Sequence, residues 1–142
     1  MATITAASVR TAVQTAVEAH GTHNNWYSIW SAAKDRDSVL AYPAVCWDQW
    51  TSKHPEDVSG FLQHQQLVTL VICQSVDSDR TPAERDSAVE ACHAAAMDII
   101  QELRTNADFT VGNIACTSQF DEFGALETGV VLLFTVTGSA SC

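Results

Sequence analysis

A chain of 142 residues is the length of one domain, and folding removes roughly 68–70% of its unfolded surface from water, enough for a core of its own. Apolar residues make up 46%, as in globular proteins, but seventeen acidic residues against seven basic ones give a formal charge of −10. That excess repels phosphate and excludes a sequence-reading nucleic-acid binder, while leaving room for a protein past which DNA slides without sticking. No run of about 18 apolar residues marks a membrane span, and Met1 to Arg10 lacks the pattern of a secretory signal.

In chain order, Val9, Ala12, Val13, Ala16, Val17 and His20 recur at helical spacing and predict a helix from Thr5 to His20, stopped by Gly21. Trp26, Ile29, Trp30 and Ala33 also have helical spacing, with Asn24 or Asn25 as cap; a short strand over Trp26 to Trp30 is the alternative. Lys34 to Ser38 reads as a solvated connector. Tyr42 to Trp50 alternates as a strand, with Val45, Trp47 and Gln49 opposed to Ala44, Cys46, Asp48 and Trp50. Thr51 to Gly60 is polar and reads as a loop. Gln65 to Gln74 is nearly continuously apolar, the mark of a strand covered on both faces.

Thr81-Pro82-Ala83-Glu84 is a capping box with proline at the first helical position, and it opens a helix to about Arg104. Its stripe is Val89, Cys92, Ala96, Ile99, Ile100 and Leu103, and Ala94 to Ala96 thin one flank. Phe109 to Thr117 and Gly129 to Thr137 alternate as the arms of a hairpin. Its acidic tip, Ser118 to Glu127, carries Phe120, Phe123 and Leu126. The expected fold is α+β: a mostly antiparallel four-stranded sheet with two long helices packed on one face and a long hairpin tip. All of 1–142 is one domain, divided into an N-terminal helix (1–21), an aromatic connector (22–41), the sheet and main helix (42–137), and a flexible tail (138–142).

Chemistry is sparse. Cys46, Cys73, Cys92 and Cys116 sit in apolar segments without a CxxC pair, as reduced core thiols of a cytosolic product do; Cys142 is the expected surface thiol. His20 and His23 are spaced to meet one ion at a helix end, but no third ligand follows at matched spacing. There is no GxSxG elbow, no glycine-rich phosphate loop and no calcium loop. No catalytic, cofactor-binding or metal site is therefore expected, and the chain is not read as an enzyme. Trp26, Trp30, Trp47 and Trp50 fall in one stretch, serving either as a core cluster or as interface anchors. Apolar material beyond what a small monomer hides points to self-assembly.

The opening helix, Tyr42-Pro43-Ala44-Val45 entering a strand, the apolar strand Leu67 to Cys73, the helix Thr81 to Arg104 and the closing arm from Thr128-Gly129-Val130-Val131 resemble the tail-terminator and neck-ring proteins of tailed bacteriophages. The resemblance spans about Ser8 to Thr137, and the segment from Gly21 to Leu40 is longer than its pattern. It implies a structural virion protein, a sixfold or twelvefold ring between head connector and tail, assembled in the host cytoplasm. Its partners would be copies of itself and the adjacent portal, connector or tail-tube proteins, with DNA only as cargo in an acidic lumen. Interface roles then fall to Trp26, Trp30, Phe120, Phe123 and Leu126, and lumen-lining roles to Asp121, Glu122 and Glu127. The alternative is a cytosolic α+β enzyme or small-ligand binder with a concave pocket, or a module that binds peptides along the strand starting at Pro43.

Overall fold

A computed structural model describes residues 3–27, 42–55, 60, 62–75, 81–120 and 127–140, with backbone alone at 49, 75, 119, 120, 127 and 140. The elements are β1 (Thr3–Ile4), α1 (Ala6–Ala19), β2 (Asn25–Tyr27), β3 (Ala44–Lys53), β4 (Gln63–Ser75), α2 (Pro82–Arg104), β5 (Phe109–Phe120) and β6 (Glu127–Ala140). Both helices start on complete capping boxes. Thr5 and Ser8 exchange side-chain and backbone bonds at α1, and Thr81 and Glu84 do so at α2. These contacts satisfy amide groups that a helix start leaves without partners.

The expected four-stranded, mostly antiparallel sheet is corrected. Six strands among the described residues form one mixed sheet in the order β1-β6-β4-β3-β2, with β5 also paired to β6, and the sheet curls into a half-barrel. β3–β4, β4–β6 and β5–β6 are antiparallel, whereas β1–β6 and β2–β3 are parallel. The two added strands are two and three residues long, too short to show a period. Asn25 Nδ2 donates to the Pro43 carbonyl at 2.9 Å, tying β2 to the start of β3. From residue 28 to 41 the expected connector lies outside the described residues.

Two further boundaries move. β3 continues through Lys53, so Thr51 to Lys53 are strand and not loop. β6 continues through Ala140 because Ser139 and Ala140 pair with Thr3 and Ile4 of β1. The expected flexible tail at 138–142 is thus strand as far as Ala140, and 141–142 lie outside the described residues.

Two bulges decide which side chains point inward. Trp47 faces Leu70 and Trp50 faces Val68, so β3 advances three residues while β4 advances two. The extra residue reverses the alternation, and Trp50 joins Trp47 on the helix-bearing face instead of opposing it. In β5 the same shift falls between Gly112 and Ala115, with Asn113 at φ 53. Phe109 and Val111 point inward before it, and Ile114 and Cys116 pack against the core after it.

The core joins Val9, Val13 and Val17 of α1 and Cys92, Ile99, Ile100 and Leu103 of α2 to the inward residues of the sheet, among them Trp47, Leu70, Ile72, Leu132 and Phe134. Burying each large aliphatic or aromatic side chain there contributes about 1.5–3 kcal/mol. On the opposite face a smaller cluster of Ala44, Cys46, Val71 and Cys73 packs with Tyr27, Tyr42 and Val131. β4 is covered on both sides only at that end; further along, Leu67 and Thr69 are half-buried.

Candidate assembly surface

Among the described residues, β5 is the longest edge strand of the sheet. It bonds to β6 from Phe109 to Phe120, and no strand among the described residues pairs with its other side. Its sequence, FTVGNIACTSQF, carries no charge. Edge strands are ordinarily shielded by charge, proline, bulges or short length, because open amide and carbonyl groups pair with any extended chain. Here the protection is local: the bulge at Gly112–Ala115, and Arg104, whose guanidinium donates to the Val111 carbonyl at 3.3 Å. From Ala115 onward the strand is bare of both devices.

The sheet face away from the helices adjoins this edge. A depression of about 230 Å³ there is lined by Leu67, Thr69, Leu133, Thr135 and Asn113, with Trp50 and Thr51 at its border. Leu133 on this face is 42% exposed. Among the described residues, five carboxylates gather on α2, where Glu84, Asp86, Glu90, Asp98 and Glu102 are all exposed. The acidic face of α2 and the Leu67–Leu133 part of the outer sheet face, with Lys53 at its β3 margin, are therefore chemically distinct surfaces.

The tryptophans divide. Trp26 is half-buried and packs against the core, its ring edge-on to Trp47 at 6.0 Å, so it serves the β2–β3 junction. Trp47 meets Trp50 edge-on at 5.7 Å. The Arg10 guanidinium of α1 covers both, 4.6 Å from the Trp50 ring and 5.8 Å from Trp47, within cation–π range. Trp47 and Trp50 thus fasten α1 to the sheet. Trp30, Asp121, Glu122, Phe123 and Leu126 lie outside the described residues. Phe120 and Glu127 close the two hairpin arms, opposite Thr128 and Ser75 respectively, which shortens the tip to 121–126.

His20 and His23 are not arranged around one ion. Nδ1 of His20 accepts from the Thr22 and His23 amides at 3.2 and 2.9 Å, and its Nε2 meets Asp98 at 3.3 Å, linking α1 to α2. His23 is buried beneath. Its Nε2 accepts from the Gln74 amide at 3.3 Å and the Cys92 thiol at 3.7 Å, leaving Nδ1 buried without a partner among the described residues. Burial, then the neighbouring His20, lowers the pKa of His23 from 6.5 to about 4. Burial likewise pushes Cys92 up to about 12, so it stays a thiol and not a nucleophile.

The His23 shift predicts acid sensitivity. Between pH 6.5 and about 4 the unfolded chain binds the proton that the folded one refuses. The stability present above 6.5 is therefore lost as pH falls, by about 3 kcal/mol in full. In denaturant titrations at about pH 7.5 and about pH 4.5, His23→Gln should lose markedly less stability than the wild type. Equal losses would contradict this role for His23.

A groove of about 300 Å³ beside His20 and Asp98 and another of about 400 Å³ between Thr11, Thr15 and Asn106 are lined by hydroxyl, amide and carboxylate groups. Neither brings a cysteine or lysine nucleophile to a base. Among the described residues no group of three or more His, Cys, Asp or Glu is placed to hold a metal, and no helix is long and apolar enough to cross a membrane. No family model matches this sequence, and no curated protein does so.

Proposed function

We propose that the chain is a non-enzymatic structural subunit that closes into a ring in the head–tail connection of a tailed bacteriophage, as tail terminator or neck ring, with DNA passing through its lumen. The observation that carries this reading is the twelve-residue uncharged edge of β5 beside an outer face that exposes Leu133. An open edge meeting a different surface of the next copy is a heterologous contact, and such contacts close into rings when the rotation permits. The charge of −10 confines contacts between copies to uncharged surfaces and suits a lumen from which DNA is repelled. Phe120, Phe123 and Leu126 would then meet neighbouring rings, and Asp121, Glu122 and Glu127 would face the lumen. The virion is the place of function, after assembly in the host cytoplasm.

The edge is tested by Ala115→Lys with Thr117→Lys, two exposed positions beyond the bulge. Lysines on an edge strand oppose pairing without disturbing the core. The double variant should keep its far-ultraviolet dichroism and lose the ring mass that the wild type shows in native mass spectrometry. A ring mass that survives both lysines would remove β5 from the contact.

A further inference from the structure

We propose that His54 and His64 form a two-histidine site for a divalent transition-metal ion of the zinc class. The pair arises from the β3 bulge. With Trp50 turned inward, Ser52 follows on the same face opposite Gln66, and Lys53–Gln65 is the last paired position. His54 and His64 come next, one just beyond the end of β3 and the other in β4. They end the otherwise apolar inner face in a polar corner with Ser52 and Gln66. The Gln63 amide donates to the Pro55 carbonyl at 2.8 Å, fixing the backbone on either side of the pair.

Nε2 of His54 lies 3.2 Å from Nδ1 of His64, with the rings nearly perpendicular at 83°. The second ring is held from behind. Nε2–H of His64 donates to Oε1 of Gln66 at 3.0 Å, and the Ser52 hydroxyl donates to the same oxygen at 2.8 Å. That bond fixes the tautomer, so Nδ1 of His64 presents a lone pair towards His54. This is how metal-bound imidazoles are oriented by their outer partners.

An ion 2.0–2.1 Å from both facing nitrogens would subtend an angle of about 103°, close to tetrahedral. His54 has to carry its proton on Nδ1 instead of Nε2, and its exposed ring has to turn so that the freed lone pair meets the ion beside the line between the two nitrogens. His64 is 5% exposed whereas His54 is exposed, so the ion reaches the pair from solvent and water completes its shell. Two imidazoles select Zn²⁺, Ni²⁺ or Cu²⁺ over Mg²⁺ and Ca²⁺. Bound there, the ion would clip the end of β3 to the start of β4.

The test is calorimetric titration of the full chain with ZnCl₂, repeated with MgCl₂ and on His54→Ala, Ser52→Ala and His93→Ala. Expected are one saturable Zn²⁺ site in the wild type and no Mg²⁺ binding. Affinity should fall at least tenfold in His54→Ala and about tenfold in Ser52→Ala, and stay unchanged in His93→Ala. His54 is exposed, so its removal leaves the fold intact, checked by dichroism. No saturable Zn²⁺ site in the wild type, or one that His54→Ala leaves unchanged, would overturn the proposal.

Discussion

Gly129→Ala should destabilise the protein by about 4 kcal/mol or leave it unfolded, a loss at the upper end for a single added methyl. Gly129 sits on β6 opposite Cys73 of β4. A Cβ built there would lie 1.9 Å from the Ile72 carbonyl oxygen, 2.7 Å from Cys73 Cα and 2.9 Å from the Ile72 carbonyl carbon. All three are backbone atoms, so no side chain can rotate away. The strands would have to separate at the centre of the sheet, where Ile72 and Val130 are fully buried. Urea unfolding with dichroism detection reads the loss directly. A midpoint within experimental error of the wild type would mean that β4 and β6 do not approach this closely.

Trp47→Ala should cost about 4 kcal/mol, and Trp47→Phe far less. Trp47 is 1% exposed and among the largest fully buried side chains. It sits between Trp26 and Trp50 and beneath Arg10. Alanine would leave a cavity where α1, β2 and β3 meet and remove the surface that the other rings and the guanidinium pack against. The indole N–H, however, is buried with no hydrogen-bond partner among the described residues, a burden of about 1–3 kcal/mol. Phenylalanine keeps most of the ring and deletes that unpaired donor, so the two losses partly offset. A phenylalanine variant as unstable as the alanine one would show that the N–H is satisfied in solution.

How much of this was legible from sequence differs by element. Both helices were, because the stripe of Val9, Val13, Ala16 and Val17 and the Thr81–Glu84 box with Pro82 are local signals, read within four residues of each other. The sheet was legible only in part. Its four long strands show in their alternation, but Thr3–Ile4 and Asn25–Tyr27 become strands through pairing with distant residues, not through any pattern of their own. The bulges at Trp47–Trp50 and Gly112–Ala115 reverse the alternation midway, so strict period-two reading puts Trp50, Ile114 and Cys116 on the wrong face.

The same bulge hid the His54–His64 pair. With Thr51 to Gly60 taken as loop, nothing in the sequence brings together two histidines ten residues apart. Extending β3 to Lys53 does. The free edge of β5 escaped notice for a different reason: whether a strand is central or at an edge depends on its partners, not its composition. Its one legible signal was the absence of charge from Phe109 to Phe120 in so acidic a chain. In the tryptophan cluster, readable equally as core or interface, Trp47 is core, while Trp26 is half-buried against it.

The claim that the chain is a ring subunit is tested most directly by negative-stain imaging of the purified protein over a wide concentration range, with native mass measured in parallel. Closed rings are expected, with a lumen wide enough for duplex DNA and a mass that is a fixed multiple of one chain. A protein that stays monomeric at every concentration, with no ring in any field, would contradict it.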